Sequence, residues 1–225
     1  MKTVAVITAT IGRPELEQTI DSVARQTYPC QHYVFVDGVD LGMSVPENVK
    51  LVQLPVKTGG KGIMNGMILA AGPYLVQEDM ICWLDDDNWM ESNHVEELVK
   101  VKGDKPYSWS LRQLRNPDGS FYSDDNFESL GPWSNFIDAN CYLLDRDVAM
   151  QTAPVWRFTT GELNYGDRVL WDTIVNNKIE GNCSGVYSLN YRLNPKRDLR
   201  AFFFEGNIKM KAHFSDRFPW AKDTQ

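Results

Sequence analysis

Between Thr3 and Gly38 the chain runs apolar, then amphipathic, then apolar again, and this order constrains its fold more than any other feature. TVAVITAT (Thr3 to Thr10) is short, β-branched and apolar, the pattern of a strand covered on both faces. Gly12-Arg13-Pro14-Glu15 breaks it, and Pro14 suits the first turn of a helix. ELEQTIDSVARQ then places Leu16, Ile20, Val23 and Ala24 at helical spacing, and Tyr28-Pro29 ends that helix. HYVFVDG (His32 to Gly38) is a second buried strand that delivers Asp37 at its end. Strand, helix, strand implies parallel pairing through a right-handed crossover.

The alternation continues. NVKLVQLP (Asn48 to Pro55) reads as a strand, KTGGKG as a glycine-rich turn, and IMNGMILAA as a helix reaching Gly72. A strand from Met80 to Leu84 follows, then HVEELVKVKG as a helix capped by Ser92 or Asn93. Beyond residue 105 the pattern changes. YSWSLRQLRNPDGSFYSDD reads as two strands around Pro117-Asp118-Gly119. NFIDANCYLLDRDVAM reads as a strand and a helix start, GELNYGDRVLWDTIVNNK as a helix, and GVYSLNYRLN as a last strand. The expectation is a single α/β domain over residues 1–225, a nucleotide-binding half (1–105) joined to a mixed, acceptor-binding half (106–225).

Bulk properties narrow the function. The 225 residues carry a formal net charge of −7, so clustered basic contacts to nucleic acid phosphates are disfavoured, although a local basic groove stays open. The four cysteines are far apart, which points to reduced thiols and not to a zinc site or disulfide framework. No window reaches the roughly 18 to 20 apolar residues of a spanning helix, and the start shows no leader-type cleavage pattern. A cytoplasmic protein is expected, with surface docking if its acceptor lies in a membrane.

MICWLDDDNWM (Met80 to Met90) sets Asp85, Asp86 and Asp87 in a row after a buried strand. Adjacent carboxylates repel unless a cation or hydrogen-bond donors offset their charge. Mg²⁺ and Mn²⁺ prefer carboxylate oxygen, and Mg²⁺ is typically held by one or two carboxylates together with substrate phosphates. A diphosphate ligand is the natural partner; a solvated acidic turn is the alternative. Lys57 and Lys61 flank the Gly59-Gly60 turn as candidate diphosphate contacts, and His213 is a candidate third metal ligand.

Several segments together resemble the family 2 glycosyltransferases of GT-A fold. VAVITATIGRPELEQTIDSVARQTYP resembles that family's opening strand, turn and helix, and HYVFVDG its second strand. GGKGIMNGMILAAGPYL is similar to its glycine-rich segment, and CWLDDDNWM to its DxD metal motif. NYGDRVLWDTI is similar to its Glu-Asp-x-x-Leu-Trp helix start, with Gly166 where Glu is usual. The Arg-Asn pair common in the glycine-rich segment is replaced by Ile63 and Met64.

The resemblance implies a Rossmann-like, mostly parallel sheet flanked by helices, and a metal-dependent, inverting sugar transfer from a nucleotide-diphosphate sugar, UDP-sugar favoured, to a saccharide or glycoconjugate. It implies that Thr8, Ala9 and Thr10 line the base and ribose, that Arg13 faces the nucleotide, and that Asp37 accepts hydrogen bonds from the base. Asp85 and Asp87 match the outer DxD positions, with Asp87 the direct ligand of Mn²⁺ or Mg²⁺; read as Asp-Asp-Asn, the motif passes a role to Asp86. Asp167 matches the catalytic base, with a helix cap as its plainer reading. Asp138 in FIDAN is a second base candidate, a structural strand-end aspartate being the alternative. A non-catalytic nucleotide-sugar-binding domain and a nucleotidyltransferase are the competing functions.

Overall fold

The computed structural model describes residues 1–60, 65–134, 136–157 and 166–194. The opening folds as read: β1 (Val4–Thr10), α1 (Leu16–Ala24) and β2 (Cys30–Val36) form a parallel βαβ unit. Every residue of β1 is buried, as a strand covered on both faces requires. β3 (Val49–Gln53) follows, then α2 (Gly66–Leu75) and β4 (Met80–Trp83). A helix ending at Gly72 is too short a reading, since α2 continues through Pro73. That proline lies in the last turn, where its missing N–H forfeits a single helical bond, and it is buried. Gly72 lets α2 approach β1: a Cβ there would stand 2.9 Å from Ile7 Cδ1.

Next come β5 (Trp89–Met90), which the sequence reading missed, and α3 (His94–Lys102). Asn93 occupies the expected N-cap position of α3, but its side chain makes no capping hydrogen bond. Glu96 and Glu97 in the first turn and Lys100 and Lys102 in the last complement the helix dipole instead. The hairpin is present as β6 (Tyr107–Arg115) and β7 (Phe121–Asp124), with Gly119 at φ 87° in the turn. β8 (Tyr142–Asp145), α4 (Arg146–Thr152), α5 (Gly166–Asn176) and β9 (Gly181–Arg192) complete the described chain.

Among the described residues nine strands join one sheet of order β3-β2-β1-β4-β8-β6-β9-β5, with β7 paired to β6. The first four strands are mutually parallel, and the long β6–β9 pair is parallel too. Most paired residues therefore run parallel; β4–β8, β6–β8, β5–β9 and β6–β7 are the antiparallel joins. Helices flank this mixed sheet. The chain lays down β1, β2 and β3 in one direction and then returns to place β4 on the other side of β1. The reversal between β1 and β4 is a topological switch point, where open α/β sheets leave a crevice beyond the strand C-termini.

The four cysteines form no disulfide, and burial pushes the Cys30 and Cys183 thiols up to about 11. Trp109, Trp156 and Trp171 are core residues, whereas Trp133 is 43% exposed. Among the described residues no helix is long and apolar enough to cross a membrane.

Candidate active site

The parallel register carries Asp37 of the β2 end, Thr10 of the β1 end and Asp85–Asp87 of the β4 end to one edge. Thr10 Oγ1 donates to Asp86 Oδ2 at 2.7 Å, across the switch point itself. The Arg13 guanidinium pairs with Asp87 Oδ2 and lies 3.6 Å from Asp86 Oδ1. Partial burial opposes its charge, but Asp86, Asp87 and Asp85 together raise its pKa. The loop is fixed from behind as well. Thr19 Oγ1 donates to the Asn88 carbonyl at 2.7 Å, and Arg192 donates through Nε to the Asp87 carbonyl at 3.1 Å.

Asp85 is held differently from its two neighbours. Its carboxylate accepts from Asn65 Nδ2 at 2.9 Å and Asn140 Nδ2 at 3.0 Å, and its N–H donates to Asn140 Oδ1 at 2.5 Å. These partners are neutral amides. Burial, then the charges of Asp87, Asp138 and Asp86, push Asp85 up to about 7 against the Asn140 bond. A carboxylate crowded by like charge is where a divalent cation gains most, so Asp85, with Asp87 beside it, fits such an ion. Among the described residues no three His, Cys, Asp or Glu side chains are grouped to hold a metal. The remaining oxygens of a coordination shell would then come from the ligand's own phosphates.

Asp37, the expected base contact, already has protein partners. The carboxylate is 4% exposed and already occupied: Oδ1 accepts from Thr58 N at 2.6 Å and Thr58 Oγ1 at 2.7 Å, and Oδ2 from Gly59 N at 2.9 Å. Its first task is to anchor the glycine-rich turn across the end of β2. Gly38, at φ 64°, permits that approach, because a Cβ there would run into Lys57 N. Burial alone would raise the Asp37 pKa, but these hydrogen bonds, with Lys57 nearby, lower it. Its stabilisation is therefore present above the ordinary carboxylate pKa and lost as acid titrates through the lowered value. Asp37→Asn turns one acceptor into a donor facing a donor. It is expected to cost about 2 kcal/mol at pH 7, from loss of charged hydrogen bonds. Urea unfolding across falling pH checks this, since the gap between wild type and variant narrows as acid titrates Asp37.

Of the other nucleotide candidates, Thr8 lies away from the crevice: it is fully buried, with Oγ1 2.9 Å from His32 Nε2. That ring is itself buried, which pushes its pKa down to about 3 and keeps it neutral. Ala9 is in the core at 7% exposure. Both sit below the strand end, because a strand's residues alternate faces and both faces here are covered. Lys61 and His213 lie outside the described residues.

The two base candidates differ. Asp138 is 5% exposed and pairs through Oδ2 with Arg112, which contacts Asp125 at 2.7 Å and Glu128 at 2.9 Å as well. Arg112 is buried over the Tyr191 ring, 4.6 Å from its centroid, and its pKa is raised by the three carboxylates against the cost of burial. Asp138 Oδ1 accepts from Asn140 N at 2.9 Å, capping the short turn 139–141. Both of its carboxylate oxygens are thus held by protein donors. Asp167 sits in the first turn of α5 with its side chain 22% exposed, and Arg168 stands 3.9 Å away. Burial, then the Asp138 charge, push Asp167 up to about 7, against Arg168 and its backbone N–H. It follows Gly166 within the helix, so it is not an N-cap.

Asn65, Asn140, Arg112 and Arg192 escaped the sequence reading. Asn140 had one local signal, since Asp-x-Asn favours an Asx-type turn; for the others the partners are too distant along the chain to suggest a pairing.

No protein-family model matches the chain, and no curated protein matches it. Solved structures of S. aureus TarS are similar to it. The 1–349 form in complex with UDP-GlcNAc has a TM-score of 0.62 and 12% identity over 97% of this chain and 68% of that one. The same form in complex with UDP has a TM-score of 0.59 and 12% identity over 87% of this chain and 62% of that one. Another TarS structure has a TM-score of 0.57 and 12% identity over 97% of this chain; this chain covers 40% of its length. The likeness is one of fold, the GT-A arrangement of mixed α/β with helices flanking a mostly parallel sheet.

Proposed function

We propose that the protein is a metal-dependent, inverting glycosyltransferase of the family 2 type, moving a sugar from a nucleotide-diphosphate sugar to a hydroxyl of a saccharide or glycoconjugate. The observation that supports this reading is a pair of differently held carboxylate groups, each close enough to Asp138 to feel its charge. One is the Asp85–Asp87 cluster at the switch point. The other is Asp167, with its carboxyl pushed up to about 7 by burial and the Asp138 charge, and with Arg168 3.9 Å away. Transfer needs both: charge management at the leaving diphosphate and a base at the acceptor.

Asp85 and Asp87 would hold the Mn²⁺ or Mg²⁺, which supplies Lewis-acid stabilisation of the leaving group. Arg13 keeps Asp86 and Asp87 oriented, and Thr10 locks Asp86 to β1. Asp167 takes the acceptor proton as the new glycosidic bond forms. The old bond to the diphosphate breaks with its electrons on the nucleotide, so attack from the opposite face inverts the anomeric carbon. A uridine nucleotide is the favoured donor class, supported by the UDP and UDP-GlcNAc complexes of the similar structures.

Calorimetric titration of UDP with Mn²⁺ tests the reading. Wild type is expected to bind only with the cation. Asp85→Ala and Asp87→Ala are each expected to weaken binding roughly 10- to 100-fold, the loss of one charged contact. Cation-independent binding, unchanged in both variants, would remove the proposal.

A further inference from the structure

Asp138 and Arg112 are unusually well satisfied for residues that take no part in the proposed transfer, and the bonds they make lead to the site. Arg112 donates to Asp138 Oδ2. Asp138 Oδ1 accepts both from Asn140 N at 2.9 Å and from Asn140 Nδ2 at 2.7 Å. Asn140 Nδ2 also donates to Asp85 Oδ2 at 3.0 Å, while Asn140 Oδ1 accepts from Asp85 N at 2.5 Å. Arg112, Asp138 and Asn140 are 1%, 5% and 2% exposed, so water offers them no easy substitutes. The amide orientation follows from chemistry: only its oxygen can accept from the Asp85 N–H, and only its nitrogen can donate to two carboxylates.

We propose that Asp138 is a positioning residue which, pinned by Arg112, sets the Asn140 amide so that it grips both the main chain and the carboxylate of Asp85. This deepens the glycosyltransferase reading and rests on it for the consequence at the donor. It assigns Asp138 a role other than base. Its two oxygens both accept, one from Arg112 and the other from Asn140. An asparagine there must turn its NH₂ toward one of these donors. Facing a buried guanidinium is the costlier choice, so the NH₂ turns to Asn140 and displaces its amide.

The test is Asp138→Asn, read by hydrogen exchange of the Asp85 backbone amide and by titration of UDP with Mn²⁺. Exchange at Asp85 is expected to quicken about tenfold, and UDP affinity to fall about tenfold. Asn140→Leu is expected to do the same, and the double variant no worse than the poorer single, because the two residues act in series. The wild type supplies an independent reading: its Asn140 side-chain NH₂ protons, each on a carboxylate, exchange slowly. Three results would overturn the proposal. One is a folded Asp138→Asn that keeps Asp85 protection and UDP binding but has lost transfer, which makes Asp138 the base. Another is a variant with a lowered melting temperature and no other change. The third is rapid exchange of the Asn140 NH₂ in wild type. If wild type binds no UDP while Asp138→Asn still loses Asp85 protection, the enzymatic reading fails and the positioning role stands.

Discussion

Asp167→Asn is expected to keep UDP–Mn²⁺ binding and lose at least roughly 100-fold in turnover, the lower range for a general base. The donor for this assay comes from a screen of nucleotide sugars with Mn²⁺, scored by slow hydrolysis where no acceptor is known. A base must be deprotonated to act, so wild-type turnover should rise with pH and level off above about 7, where Asp167 titrates. The same shift has the opposite sign for stability. A carboxyl whose folded pKa lies above its unfolded value favours the fold while protonated, and that contribution is lost as pH rises through about 7. The neutral asparagine escapes this cost. At pH 8 the variant should therefore melt no lower than wild type while being far slower. A variant with full activity would transfer the base role to Asp138 or elsewhere, and one that melts much lower at pH 8 would mean that Asp167 is a structural anchor.

Arg112→Met is expected to cost about 3 to 5 kcal/mol at pH 7, the range for breaking a buried ion pair from one side. The side chain is fully buried, and Asp125 and Asp138 beside it are nearly so, with Glu128 at 22% exposure. Removing the guanidinium leaves carboxylates facing one another without a cation. They then keep their protons more readily, so the deficit should shrink as pH falls toward 4. Denaturant unfolding across that range measures it. A loss under about 1 kcal/mol at pH 7 would mean that the cluster is solvated and Arg112 replaceable.

Periodicity made the element order legible from Val4 to Trp83, because β1, β2 and β4 are largely buried and read as continuous apolar runs, with amphipathic α1 between the first two. The triple aspartate announced itself by charge alone. Other features left no such mark. β5 is two residues long and exists because it pairs with β9, a strand a hundred residues later. Thr8 and Thr10 look alike in TVAVITAT, yet one turns to His32 in the core and the other to Asp86. Asp37 reads as a ligand contact, and nothing local names Thr58 and Gly59 as its protein partners. Asp138 reads as a second base candidate behind Asp167, and what the sequence does not name is the buried arginine from β6 that holds it. Tertiary partners decide each of these cases, and local sequence does not name them.

The continuity of the sheet has a consequence for rate. Asp37, Asp86 and Asp138 follow β2, follow β4 and precede β8 within one ladder of strands. Strands hydrogen-bonded into one ladder tie these carboxylates to a shared framework. Dipoles and charges that are already in place need no rearrangement as the reaction proceeds, and a fixed environment lowers a barrier more than one that must first assemble.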